Sequence, residues 1–283
     1  MKYFALTMML ACAGWAASPG IDEARRLYDS TDFQKSLHIL GAIPDKSAEV
    51  HALMGRNYYM LGDFKRASEA LEQALAAQPA NADFALWLGR AYGRRAETSG
   101  PFTAPQYASR ARQYFEKSAR LNPRNLDALS DLFEYYLEAP GILGGGVDKA
   151  QTVAGEMARV DASEGYWAMF KLSEQRKDYS RAEEQLRRAV EAAPRPIGKL
   201  IELARFLTRQ GRYQEAEQSF ERAEKIAPGS PRVMYARADL YIRTGRNLDA
   251  ARSLLERYLS ATLTPEDPPR ADAIRLLRKV RGG

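Results

Sequence analysis

The chain of 283 residues contains one cysteine, Cys12, and two histidines, His38 and His51. This scarcity excludes a disulfide framework and leaves too few thiolate and imidazole ligands for a structural zinc site. The histidines lie thirteen residues apart, without cysteine or paired carboxylates at ligand spacing. We therefore predict no metal site, and we interpret His51 as a partly buried packing residue.

Motifs for nucleophilic catalysis and phosphate binding are also absent. No Gly-x-Ser-x-Gly elbow occurs, and a serine nucleophile needs such a turn. The glycines at 144–146 are not followed by Lys-Ser/Thr, and no strand pattern precedes them, so they predict a tight turn instead of a phosphate loop. Glu134 and Glu138 share a helix face, but salt bridging to Arg90 and Arg94 explains them more simply than acid–base catalysis. We predict no enzymatic activity, no catalytic residue and no cofactor.

Apolar runs long enough to cross a membrane are missing after residue 18. At the N-terminus, Lys2 precedes an apolar stretch over 3–13 and small residues up to Ala17. This pattern predicts a secretory signal peptide at 1–17, cleaved after Ala16 or Ala17, and hence export to the bacterial periplasm or the medium. One alternative stays open: 9–12 loosely resembles a lipobox, in which an acylated Cys12 would anchor the chain to a membrane.

The charge balance is basic, with a formal net charge of +6 that is mostly due to arginine. Arginine binds carboxylates and phosphates through its planar fork. Because export is predicted and no aromatic-rich nucleic-acid motif interrupts the sequence, we do not expect a nucleic-acid partner. Proteins with acidic segments, lipid headgroups and cell-wall polymers are the candidate partners.

Small and apolar residues return at a fixed interval along most of the chain. A period of this kind is typical of a stacked-repeat architecture. Spacings of four and three put three residues of each set on one helix stripe, and the proline that follows ends that helix. The sets are Ala67, Leu71, Ala74 and Pro79; Ala182, Leu186, Ala189 and Pro194; and Ala216, Phe220, Ala223 and Pro228.

An upstream stripe completes each unit as a helical hairpin. Met54, Gly55 and Tyr58 form this stripe in one copy, and Gly62 suits the left-handed residue that ends the first helix. The combined pattern resembles the 34-residue tetratricopeptide repeat. The resemblance implies an all-α, right-handed superhelical solenoid of antiparallel helix pairs that binds proteins or peptides without catalysis.

The predicted organisation comprises six to seven repeats and a capping helix. The repeat array covers 48–264 and is preceded by an atypical first repeat. We expect Ile274, Leu277 and Val280 to form the inner stripe of the capping helix, with Asp267 as its N-cap. In chain order the repeats are 21–47, 48–81, 82–125, 126–164, 163–196, 197–230 and 231–264, and the capping helix is 268–280.

Inward positions of the first helices predict the partner-binding groove. The resemblance implies that these positions line a concave face, which would be basic at both ends and acidic in the middle. Such a groove would hold an extended peptide of complementary charge, with aromatic side chains as apolar anchors. Structural salt bridging remains the competing interpretation of the same charges. The candidate residues are Arg56, Tyr59, Trp87, Arg90, Arg94, Asp127, Asp131, Glu134, Glu138, Trp167, Lys171, Arg205, Arg209 and Tyr235.

Two insertions lie between the helices of neighbouring repeats, over 94–105 and 139–149. Since loops carry function more often than framework does, the irregular pair of repeats at 82–164 is the expected functional region. We expect both insertions to be loops that lie side by side, and Ile142 and Leu143 to pack onto the solenoid. A second hypothesis for the whole chain is an envelope assembly factor that binds anionic polymer or lipid.

Overall fold

A computed structural model describes residues 19–281, and the fold of this part of the chain is entirely helical. The predicted signal peptide and Cys12 lie outside the described residues. Within them there are fifteen α-helices, one 3-10 turn at Gly141–Leu143 and no strand. The helices are α1 Pro19–Asp29, α2 Phe33–Ala42, α3 Ala48–Met60, α4 Phe64–Ala77, α5 Ala82–Thr98, α6 Ala104–Leu121, α7 Leu126–Glu138, α8 Val147–Val160, α9 Ala162–Gln175, α10 Tyr179–Ala192, α11 Ile197–Arg209, α12 Tyr213–Ile226, α13 Pro231–Thr244, α14 Leu248–Ser260 and α15 Arg270–Arg281.

The helices form antiparallel pairs that stack into an α-solenoid, as the period predicts. Each substantial helix contact among the described residues joins elements no more than two apart in chain order. Second helices end just before their prolines, α4 at Ala77 and α10 at Ala192. Proline stops them because it lacks the backbone N–H and clashes with the preceding turn.

Small residues allow the two helices of a pair to approach closely. A Cβ added to Gly55 would lie 2.5 Å from Leu71 Cγ, and one added to Gly89 would lie 2.6 Å from Phe115 Cδ1. The side chains of Leu71 and Phe115 are buried at these contacts. The glycines of the first stripe therefore make room for the large residues of the second, as the sequence predicts.

The apolar core is divided along the solenoid. One cluster of buried residues extends from Ala48 to Leu172, and the next extends from Phe170 to Ala236. The two meet on α9, where Trp167 packs against both. The large Phe133 and Phe170 are fully buried, with their rings 5.9 Å from Trp167 and 5.8 Å from Phe206, respectively.

The expectation of a loop over 94–105 is wrong. Helix α5 continues to Thr98 and α6 begins at Ala104, so most of the extra residues lengthen the two helices. The extension is held by Arg95, which donates hydrogen bonds to the hydroxyls of Ser68 at 2.8 Å and Tyr107 at 2.7 Å. Only 99–103 remains between the helices, and Phe102 in it is 97% exposed.

The second insertion is a tight turn, but Ile142 does not pack onto the solenoid. Its side chain is 94% exposed, which corrects the prediction, whereas Leu143 is partly buried. The Tyr135 hydroxyl donates to the Leu143 carbonyl at 2.9 Å and holds the turn against α7. Gly144 has a φ of +87°, and a Cβ on Gly145 would overlap the Ala139 carbonyl at 1.8 Å, so the glycines serve the turn.

The capping helix differs from the prediction in its start and its buried face. It begins at Arg270, and the Asp267 carboxylate accepts a hydrogen bond from the Thr264 backbone N–H instead of capping the helix. Ala273, Leu276 and Leu277 are buried, whereas Ile274 is exposed. The stripe is rotated by about one residue, because the α14–α15 connection and not the apolar pattern alone sets how the helix docks.

Turns between paired helices use a residue in the left-handed conformation, and two of them carry a residue that fits it poorly. Gly62, Gly211 and Gly245 occupy this conformation in three turns, whereas Thr31 at φ +64° and Lys177 at φ +59° occupy it in two others. Lys177 lies in the fourth repeat of the array. We expect Lys177→Gly to stabilise the protein by about 0.5–1 kcal/mol, because only glycine adopts this conformation without a steric cost. Thermal unfolding measures the change. The reciprocal control, Gly211→Lys, should lower the midpoint, and an equal response to both would contradict the argument.

Candidate functional site

Side chains on successive first helices meet along one face of the solenoid, which we call the concave groove. Arg56 on α3 pairs with Asp83 on α5, and Arg90 on α5 pairs with Asp131 on α7. The row continues farther along, where Lys199 on α11 donates to Glu164 on α9 at 2.6 Å. Of the predicted residues, Arg56, Arg90 and Asp131 therefore belong to this row of side chains on the first helices.

The N-terminal part of the concave groove is built around Trp87. The guanidinium carbons of Arg56 and Arg90 lie 5.0 Å and 5.2 Å from the centroid of the indole ring, and Tyr59 packs edge-on at 5.5 Å. Cations are attracted to the indole face, so the stack holds both arginines in place. Trp87 and Tyr59 therefore pack against each other and hold the arginines in position, and part of their apolar surface remains exposed.

Arg90 and Arg94 do not pair with Glu134 and Glu138, which corrects the expectation from the sequence. The Arg90 Nε donates to Asp131 Oδ2 at 2.5 Å, and its Nη2 lies 3.9 Å from Asp127. Arg94 pairs with Glu97 one turn along its own helix. The pairing shifts by one turn because the axial register of α5 against α7 brings Asp131, not Glu134, opposite Arg90.

The centre of the concave groove holds two carboxylates without ion-pair partners in the described residues, Glu134 and Glu138. Burial raises the pKa of Glu134, the positive charge of Lys171 opposes this, and the nearby carboxylates of Asp131 and Glu138 add to it. Burial also raises the pKa of Asp131, while the hydrogen bond from Arg90 lowers it. The middle of the groove is therefore an acidic surface whose charge is not neutralised internally.

The raised pKa of Glu134 predicts a pH-dependent stability effect. The folded state binds this proton at a higher pH than the unfolded chain does, so the charged carboxylate lowers the free energy of unfolding at neutral pH. This loss of stability disappears when acidification protonates the carboxylate in both states. We expect Glu134→Gln to raise the free energy of unfolding at pH 7 by less than about 1 kcal/mol, because the side chain, although crowded by neighbouring groove residues, still contacts water that screens its charge. The gain should vanish as the pH falls below the unfolded pKa, about 4.3.

Thermal unfolding at a series of pH values checks this prediction. Glu69→Gln is the matched control, because Glu69 is an exposed carboxylate in the middle of α4, away from the concave groove. A pH-independent gain for Glu134→Gln, or an identical profile for both variants, would contradict the assigned cause.

The C-terminal part of the concave groove is basic and open. Arg209 donates to Glu174 at 2.6 Å, and Arg205 lies 3.9 Å from Glu202, yet both arginines remain close to half exposed. Two of the predicted aromatic anchors are less accessible to a ligand than expected. Lys199 lies 4.9 Å from the Trp167 ring, and Tyr235 packs on Tyr258 at 5.4 Å.

Several groove residues were not singled out from the sequence. Asp83 and Glu164 stand at the second position of their repeats and Glu174 at the twelfth, which are inward positions in the family pattern. The same position count that selected Arg56 and Arg90 would have found them. Lys199 stands at the third position and has no such signal, since only the structure shows its pairing with Glu164.

Two other kinds of feature, a metal-binding cluster and a membrane-spanning helix, are absent from residues 19–281. Among residues 19–281, no cluster of three or more histidine, cysteine, aspartate or glutamate side chains is suited to hold a metal ion. The same part of the chain has no helix that is both long and apolar enough to span a membrane.

The chain contains tetratricopeptide repeats. The family matches residues 48–81, 172–231 and 207–280, and the first match has the same bounds as a predicted repeat. Among curated protein sequences, none matches this chain.

Solved structures with a similar fold have low sequence identity to this chain, and two of them are tetratricopeptide repeat proteins. A tetratricopeptide repeat protein from Parabacteroides merdae is 14% identical, with a TM-score of 0.57 over 93% of this chain and 97% of its own. A thermophilic protein from Thermus thermophilus is 19% identical, with a TM-score of 0.54 over 67% and 97%, respectively. The human IFIT1 dimer, solved with PPP-AAAA, is 16% identical, with a TM-score of 0.56 over 85% of this chain and 54% of its own. These similarities show the fold alone.

Proposed function

We propose that the chain is an exported, non-catalytic scaffold that holds an extended segment of a partner protein in its concave groove. The observation that carries the proposal is the central pair Glu134 and Glu138, which makes no ion pair within residues 19–281, together with the half-exposed Arg205 and Arg209. Unpaired carboxylates at the centre, and arginines at one end that stay accessible although each lies near a glutamate, favour a segment with a basic residue at the centre and acidic residues at one end.

Internal pairing limits what the N-terminal part of the groove contributes. Arg56 and Arg90 are matched by Asp83 and Asp131, and their side chains are only 28% and 24% exposed. Arg205 and Arg209 also lie near glutamates, but their side chains are 43% and 49% exposed and hence more accessible to a ligand carboxylate. We therefore assign the acidic segment of the partner to the Arg205 and Arg209 end. This choice narrows the expectation from the sequence, which treated both basic ends alike.

Site-specific photo-cross-linking in the native cell tests the proposal. A photoreactive residue is placed at 138 or 205 in the concave groove, and at 222 on exposed α12 as the matched control. We expect discrete cross-linked proteins from 138 that are lost when Arg205→Glu and Arg209→Glu are combined, and from 205 that are lost when Arg209→Glu is added. Products from 222 alone, or unchanged capture by the double variant, would contradict it.

Export is tested separately by determining the N-terminus of the mature protein. A start after Ala16 or Ala17 supports the signal peptide, whereas an acylated Cys12 identifies a lipoprotein. A salt titration of partner binding distinguishes the scaffold from the second hypothesis, an envelope factor that binds anionic polymer or lipid. Long-range charge contacts are screened by salt, so complete loss at modest ionic strength favours that alternative over a desolvated groove.

A further inference from the structure

We propose that a second groove, on the convex side of the solenoid between α6 and α8, binds an acidic amphipathic helix of a partner protein. Helix α7 forms the floor of this convex groove through Leu132 and Tyr136. These residues lie two positions from Glu134, about 200° around the helix, so the two grooves use opposite faces of α7. The convex groove is therefore independent of the function proposed above.

The size of the convex groove fits a short helix. Its volume is about 910 Å³, and on α8 it is lined from Lys149 to Val160. At 1.5 Å per residue this stretch is about 16 Å long, or about three helical turns. Since α6 and α8 each pair with α7 in an antiparallel way, they run parallel and form two walls, and a third helix between them would pack on both.

The floor and inner walls of the convex groove are apolar. Leu132 and Val153 are buried at its base, and Ala119, Tyr136 and Val160 are partly exposed beside them. Apolar side chains that recur every three or four residues on a ligand helix would cover this strip, and burying them would drive association.

The rim of the convex groove carries cations that have no internal partner. The guanidinium groups of Arg120, Arg124 and Arg159 make no ion pair or side-chain hydrogen bond in the described part of the chain, and all three side chains are exposed. The concave groove differs, because Arg56, Arg90 and Arg209 are each paired with a carboxylate there.

The remaining charged groups of the convex groove leave this positive excess in place. Lys149 donates to the Gly144 carbonyl at 2.8 Å, and its Nζ lies 5.5 Å from the Tyr136 ring. Glu116 accepts a hydrogen bond from the Tyr136 hydroxyl at 2.8 Å, and Glu156 also lines the groove. Four cations against two carboxylates complement a ligand helix with acidic residues along the flanks of its apolar stripe.

Fluorescence anisotropy with the full chain tests the proposal. The probe is a labelled synthetic helix of four turns, with leucine every three or four residues and glutamate at the flanking positions. We expect Arg120→Gln, Arg124→Gln and Arg159→Gln together to weaken binding at least about tenfold. Thr152→Trp should weaken it as well, because Thr152 is exposed on the groove wall and a bulky ring would fill the space.

A matched triple variant controls for net charge. The control also removes three positive charges, but from exposed positions on α10 and α12, through Arg181→Gln, Arg222→Gln and Lys225→Gln. It should leave peptide binding unchanged. Circular dichroism confirms that each variant is folded. The proposal is overturned if both triple variants weaken peptide binding equally. It is also overturned if peptide binding is unchanged in the groove triple variant and in Thr152→Trp. Binding of phosphatidylglycerol vesicles, but not the peptide, through the three arginines also overturns it and identifies a membrane as the occupant.

Discussion

Phe170→Ala is expected to destabilise the protein by about 3–5 kcal/mol, because truncating a buried phenylalanine removes apolar contacts and leaves a cavity. Phe170 is fully buried, and its ring packs edge-on against Phe206 at 5.8 Å. It also lies where the two largest core clusters meet on α9. We therefore expect the variant to weaken the coupling between the two parts of the solenoid as well as total stability.

Urea unfolding followed with two probes measures both effects. Circular dichroism reports the whole helical content, whereas Trp87 fluorescence, in a Trp15→Phe and Trp167→Phe background, reports the N-terminal part. The two curves should separate in the Phe170→Ala protein, because repeats interact only with their neighbours. Phe102→Ala is the matched control, since Phe102 is 97% exposed and its loss should change stability by less than about 0.5 kcal/mol. Equal midpoints for the two alanine variants would refute the assignment.

Gly89→Ala is expected to destabilise the protein by about 1–3 kcal/mol, although alanine favours helices over glycine. The added Cβ would lie 2.6 Å from Phe115 Cδ1 and 2.7 Å from its Cε1. Phe115 is buried, so its ring cannot move away without disturbing the core. The steric cost of overpacking therefore exceeds the gain in helix propensity.

Gly93 on the same helix provides the control. A Cβ on Gly93 would have nothing within 4 Å, so Gly93→Ala should stabilise the helix by about 0.5–1 kcal/mol. A double-mutant cycle with Phe115→Ala completes the test, because Gly89→Ala should cost little once the ring is gone. A stabilising Gly89→Ala, or a cost that persists without the ring, would rule out the close approach as the cause.

The framework of the fold follows from local sequence rules. Gly55, Gly89 and the prolines after the second helices mark contacts and stops that depend on nearby residues, and the structure has them as expected. The array of helix pairs is therefore predictable from spacing alone. Gly62 likewise takes the left-handed conformation that its turn requires.

The sequence does not determine the contacts that depend on how one helix docks against another, either in its position along the axis or in its rotation. Arg90 selects Asp131 over Glu134, a choice between neighbouring positions on α7. The buried stripe of α15 is displaced by about one residue for the same reason, leaving Ile274 exposed. Both depend on tertiary docking. Convex groove residues such as Arg159 give no sequence signal either, since an exposed arginine at a helix end is ordinary.

Substantial contacts join only helices that are at most two apart in chain order among the described residues, and this affects how the chain folds. Such a protein has a low contact order, and the loop-closure entropy for each step of folding is small. A group of about three neighbouring repeats, the number needed to bury a continuous core, can therefore acquire its native packing before the rest of the chain has emerged from a ribosome. The polypeptide can then extend its solenoid by adding repeats to those already packed.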